Sequence, residues 1–174
     1  MTTSTTGEGL QTSQDSESED PYHVASLIAL RQLSMAPRTR HQLSEKLAKK
    51  LTPPDIIESV LDRMTELGYL DDLAYARTFI RVKTSTKFLS HRALSYELIK
   101  AGVDKAIIEQ ALNERDSEDE FNTACALVAK KLRSMPDLDD EKKRQKLIAA
   151  LSRKGYSSDV VFNSINDQLL SSSQ

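Results

Sequence analysis

The chain has 174 residues, with 24 Lys+Arg against 26 Asp+Glu and a formal net charge of −2. Hydrophobic residues make up 39%, enough for a core, so the whole chain is not disordered. Aromatics at 5%, no Trp, 5 Gly and 5 Pro argue against an all-β sandwich or barrel, and the single Cys125 excludes an internal disulfide scaffold or a zinc site of several thiolates.

Residues 1–20 hold five acids, no base and one large aliphatic side chain after Met1, Leu10. Such a segment buries too little to offset its ordering entropy, so a disordered acidic tail is expected. It has neither the basic start nor the apolar stretch of a secretory signal. No run approaches the ~18 apolar residues of a membrane span. The expectation is a cytoplasmic monomer without a membrane anchor. Without the tail, residues 21–174 keep 24 bases against 21 acids.

From residue 22 onward apolar residues recur at spacings of three and four, the helix period. Val24, Leu27, Ile28, Leu30 and Leu33 form the first stripe, Leu43, Leu47 and Leu51 the second, and Ile56, Ile57, Val60, Leu61 and Met64 the third. No segment alternates with period two. The predicted class is all-α.

The stripes repeat. Leu43, Leu47, Ile57 and Leu61 match Leu94, Leu98, Ile108 and Leu112 at an offset of 51, and these match Leu147, Leu151, Val161 and Ile165 at a further 53. These twelve are the predicted repeat core. The turn inside each helix pair falls at Leu51, Gly102 and Gly155. Glycine there suits a left-handed C-cap, so Leu51 predicts a differently built first turn or a helix ending at Lys50. The next helices start at Thr52-Pro53-Pro54-Asp55, with Pro53 in the first helical position, at Asp104 and at Ser157. Opening helices are expected at about 22–35, 71–84 and 117–133. Asp71 or Asp72 caps the second, and Ser117 with Glu120 forms a capping box on the third. The organisation predicted is an acidic tail (1–20), three three-helix units (21–67, 68–115, 116–170) and a frayed end (171–174). Units this small bury little alone, so an elongated, curved array is expected. The alternative is a compact globule in which the repeat is only ancestral.

No catalytic constellation emerges, and neither a metal nor a cofactor is expected. His23, His41 and His91 share no motif with a nucleophile or with one another. Cys125 lies in an apolar helical pattern and reads as structural, and the acids at 71–72 and 139–141 read as helix caps rather than metal ligands. The functional candidate is residues 74–103, with six bases and one acid, Glu97. Arg77 and Arg81 share a helix face opposite a buried side of Leu73, Ala76, Phe79 and Ile80. Lys83 to Lys87 read as a polar basic loop, and Arg92 and Lys100 lie on the next helix. Arg77, Arg81, Lys83, Lys87 and Arg92 are therefore the candidate contacts to an anionic partner, nucleic acid or acidic protein; a solvated face is the plain alternative.

Paired helices with tight turns also describe helix-turn-helix DNA readers. The second helices argue against that use, because Asp55, Glu58, Asp62 and Glu66 stand against Arg63 in the first, and Asp104, Glu109 and Glu114 against Lys105 in the second.

The stretch Leu67-Gly68-Tyr69-Leu70-Asp71-Asp72, followed by Tyr75-Ala76-Arg77 and Phe79, resembles the RecX family. So do Leu94, Glu97, Leu98, Gly102, Val103, Ile107 and Ile108, upstream Leu30, Arg40, Leu43 and Leu47, and downstream Lys154-Gly155-Tyr156. The resemblance spans about residues 22–170. It departs at Leu51, where glycine is usual, and at 84–89, which lacks the family's frequent glycines. It implies tandem three-helix repeats and a non-enzymatic inhibitor that lies in the groove of the RecA–DNA filament, bridging subunits and lowering ATP hydrolysis and strand exchange.

Overall fold

The computed structural model describes residues 20–115 and 117–171. The acidic segment 1–19 and residues 172–174 lie outside the described residues, as does Asp116. The described residues form nine helices and no strand. The first unit holds α1 (Pro21–Met35), α2 (Arg40–Ala48) and α3 (Pro54–Glu66). The second holds α4 (Asp72–Lys87), α5 (His91–Lys100) and α6 (Lys105–Asn113), and the third α7 (Ser117–Leu132), α8 (Asp140–Arg153) and α9 (Ser158–Ser171).

In each unit the opening helix and the last helix pack along each other, and the middle helix closes the triangle. The extensive helix packings all lie within units, so the apolar matter is divided into three separate cores. This follows from the repeated stripes, since each stripe is satisfied by its own two neighbours. Of the twelve repeat-core positions, eleven are buried, and Leu112 is partly buried against the second core. The linkers tie units in opposite directions. Leu70 folds back into the first core, and Phe88 reaches forward onto the third.

Three local expectations are corrected. Thr84 to Lys87 do not form a loop but extend α4 to Lys87. The hydroxyls of Ser85 and Thr86 donate back to the carbonyls of Arg81 (3.0 Å) and Val82 (2.6 Å), so these polar residues are accommodated without breaking the helix. The Leu51 turn is not built differently. Leu51 adopts φ 60°, beside φ 78° at Gly102 and 89° at Gly155. α2 ends at Ala48, two residues short of Lys50, and the amide of Thr52 donates to the Leu47 carbonyl just as Val103 donates to Leu98 and Tyr156 to Leu151. Pro54, not Pro53, takes the first helical position of α3; Pro53 stands before it and no side chain caps that end. The capping box expected at Ser117 falls on a residue whose side chain lies outside the described residues; the Glu120 carboxylate accepts from the amide of His91 at 2.8 Å.

That last contact belongs to a repeated clip between units. Asp72, on the opening helix of the second unit, accepts from the first amide of α2, at Arg40 (2.8 Å). Glu120, 48 residues later, does the same for α5. Each clip thus places a carboxylate on the exposed amides of a neighbour's helix N-terminus. On its other side the same N-terminus meets the next unit's turn. The Thr39 hydroxyl, which caps α2, donates to the Ala101 carbonyl (2.6 Å), and the Ser90 amide donates to the Lys154 carbonyl (3.1 Å). Thr39 and Ser90 are fully buried by these contacts.

Candidate functional site

The basic stretch is split by the structure between two helices of the middle unit, α4 and α5. Arg77 is engaged within the unit, in a surface ion pair. Its Nε and Nη2 donate to both carboxylate oxygens of Glu114 (2.7 and 2.5 Å), clamping α4 to the end of α6. The hydrogen bonds from Arg77 hold the Glu114 carboxyl below the usual carboxylate range. Arg81 lies one turn on, exposed, and makes no ion pair among the described residues. Lys83 is half-buried, its Nζ 5.0 Å from the centre of the Phe79 ring. Lys87 occupies the last turn of α4, where a cation favours the helix dipole, and it too is exposed and unpaired.

Arg92 opens a stripe on α5 that was readable from spacing but not singled out. Arg92, Tyr96 and Lys100 sit at i, i+4 and i+8, and so share one face. Tyr96 is 63% exposed, with Lys100 Nζ 5.9 Å from its ring centre. At the matching places in α2 and its C-cap stand His41, Glu45 and Lys49, where His41 Nε2 lies 3.8 Å from Glu45 Oε1. The first unit thus cancels charge where the second presents it.

The acids behave as caps and clamps. Asp71 caps α4 through the amide of Ala74 (2.9 Å), Asp104 caps α6, and Asp139 caps α8 through Lys142 (2.9 Å). That hydrogen bond from the Lys142 amide draws the Asp139 carboxyl below its ordinary value. On α3, Glu58 and Asp62 hold the Arg40 guanidinium of α2 at 2.6 and 2.8 Å. No group of three or more His, Cys, Asp or Glu residues among those described is placed to hold a metal. The Cys125 thiol is partly buried beside Asp167 (Sγ to Oδ2 3.9 Å), and desolvation with that carboxylate pushes its pKa up to about 11, the reverse of a reactive thiolate. No described helix is long and apolar enough to cross a membrane.

The geometry therefore defines a class first: a tandem array of three-helix units with separate cores, joined by polar clips. The sequence matches three models of one family in order: "RecX, first three-helix domain" over residues 25–64, the second domain over 71–112 and the third over 118–164. It is 39% identical over 150 residues to the regulatory protein RecX of Streptomyces coelicolor, covering 86% of this chain and 80% of the relative. To that of Thermobifida fusca it is 34% identical over 151 residues, covering 87% and 82%. A crystal structure of RecX from Lactobacillus salivarius superposes with a TM-score of 0.77 at 24% identity, over 87% of this chain and 98% of that one. A second crystal structure, of a regulatory protein RecX, gives 0.71 at 27% identity, over 85% and 72%. The chain belongs to the RecX family of regulatory proteins.

Proposed function

We propose that the chain binds the filament that the RecA recombinase forms on DNA and restrains it, lowering ATP hydrolysis and strand exchange and favouring disassembly. The observation that carries this reading is a RecX-family array whose middle unit leaves Arg81, Lys87 and Arg92 without an internal partner. Three units in a row offer three modest contacts to successive subunits of a polymer. Tethering makes the second and third contacts intramolecular, raising avidity roughly 10²–10⁴-fold. Bridged subunits then resist the movements that hydrolysis requires, and the array obstructs incoming duplex. The free cations meet acidic filament surface or strand phosphate, and Tyr96 offers a ring between Arg92 and Lys100.

The test is ATP turnover by RecA on single-stranded DNA. Wild-type chain slows it at substoichiometric amounts. A double reversal, Arg81→Glu with Arg92→Glu, raises the amount needed for half-inhibition at least tenfold. If the three free cations each neutralise one phosphate of a single strand, the salt slope is about −2.1, so fourfold more salt weakens binding roughly 20-fold. An unchanged RecA rate together with tight, sequence-selective binding to bare duplex would replace this reading with a helix-turn-helix regulator.

A further inference from the structure

The two junctions between units carry the same groove, filled differently. At each, the opening helix of one unit receives the linker of the unit before it. At the second junction α7 offers Asp119, Asn122, Thr123 and Ala126, and the groove has a volume of about 250 Å³ with Phe88 as a wall. The Phe88 ring packs onto the third core, Lys130 Nζ lies 5.1 Å from its centre, and the Tyr156 hydroxyl donates to its carbonyl at 3.1 Å. At the first junction α4 and its N-cap offer Asp71, Ala74, Tyr75 and Thr78, the matching residues 48 earlier. The linker residue that matches Phe88 is Pro37, in the register that matches Thr39 with Ser90. Proline inserts no aromatic ring, and the groove is open at about 440 Å³.

The open groove is walled by carbon and rimmed by cations. Tyr75 and Phe79 stack in its floor with ring centres 6.1 Å apart. Tyr69 and Val82 flank it, both exposed although apolar. Arg38 and Lys83 stand at its edge. Arg38 makes no ion pair among the described residues, and its Nε is buried without a hydrogen-bond partner. The one acid in the lining, Asp71, is engaged in capping α4.

We propose that this groove binds an acidic peptide segment of a partner protein through one aromatic side chain. The partner's ring takes the place that Phe88 takes at the sister junction, and flanking carboxylates meet Arg38 and Lys83. Two features favour a peptide over a nucleotide. The ring that narrows the sister groove is itself a phenylalanine on a peptide backbone, packed on the third core, and the walls here are apolar rather than furnished with groups that read base edges. Residues 1–20 of the chain are acidic but contain no aromatic residue, so they do not supply the ring. The inference does not depend on the partner being RecA.

The experiment titrates the full chain into fluorescein-labelled Asp-Glu-Phe-Asp-Glu, its Phe-to-Ala counterpart and a labelled twelve-nucleotide oligothymidylate. Burial of one phenyl ring predicts that the Phe peptide binds about 10–100-fold tighter than the Ala peptide. Thr78→Trp, which fills the groove from an exposed position on α4, and Lys83→Glu each weaken the Phe peptide at least tenfold, with unchanged circular dichroism and Tm. The oligonucleotide is indifferent to Thr78→Trp. Equal binding of the two peptides overturns the proposal on the wild-type chain alone, without any variant. So does oligonucleotide binding that Thr78→Trp abolishes, which would make the groove a nucleotide site. The readout contains no RecA, so failure here leaves the filament reading standing, and failure of that reading leaves this one.

Discussion

Leu51 and the pair Gly102 and Gly155 share one backbone geometry in two surroundings. All three close a turn in the left-handed region. A β-carbon on Gly102 would meet the His41 side chain at 2.3 Å, and one on Gly155 would meet the Ser90 hydroxyl at 2.6 Å. Leu51 is 92% exposed, and among the described residues no other unit docks on its turn. Glycine is therefore demanded twice at the inner turns, by the dihedral and by the neighbour, and only once at the outer turn. The outer turn tolerates a side chain at the cost of left-handed strain, about 1–2 kcal/mol for an L-residue. Which residue closes a turn in this array is decided by the unit before it as much as by the turn itself.

The sharpest break of that comparison is Gly102→Ala. It adds left-handed strain to a clash with a side chain rooted in the adjoining unit, and a loss of about 2–4 kcal/mol is expected. Gly155→Ala meets a single hydroxyl first and has the smaller expected cost, about 1–3 kcal/mol. Urea midpoints of the two variants rank them, and equal losses would mean that only the dihedral matters. Approaching the same junction from its other side, Thr39→Ala removes the cap of α2 and the donor to the Ala101 carbonyl together. About 2 kcal/mol is expected from the lost cap and an orphaned carbonyl. Thr39→Ser keeps both contacts and restores most of it. Hydrogen exchange locates the effect: protection falls at the start of α2 and the end of α5, while the third unit, with its own core, keeps its rates.

Much of this fold was legible in the residues. Leu43, Leu94 and Leu147 stand at offsets of 51 and 53 and are all buried, because each unit satisfies its stripe locally and the period survives into the packing. What the sequence concealed depends on contacts between distant residues. Arg77 looked free beside Arg81, but Glu114, its partner, is 37 residues away. Thr84 to Lys87 looked like a loop, because the returning hydroxyls that accommodate them in a helix leave no mark in composition. Gly102 was read as a dihedral requirement, whereas its contact with His41 is equally demanding. The open groove is a difference between Pro37 and Phe88, visible only when the linkers are aligned at 51 and the opening helices at 48.

The smallest expected effect is also the one that isolates geometry from docking. Leu51→Gly removes left-handed strain at a turn that nothing contacts. Against that gain stands the greater freedom of glycine in the unfolded chain, about 0.4–1 kcal/mol. The net expectation is a stabilisation of at most about 1.6 kcal/mol, read as a higher urea midpoint at constant slope. Leu51→Ala keeps the strain and removes an exposed side chain, so its midpoint stays at the wild-type value. If Leu51→Gly were instead destabilising, the exposed leucine would have to be making a contact across the first unit that its solvent exposure denies. The contrast between outer and inner turns would then rest on the neighbour alone.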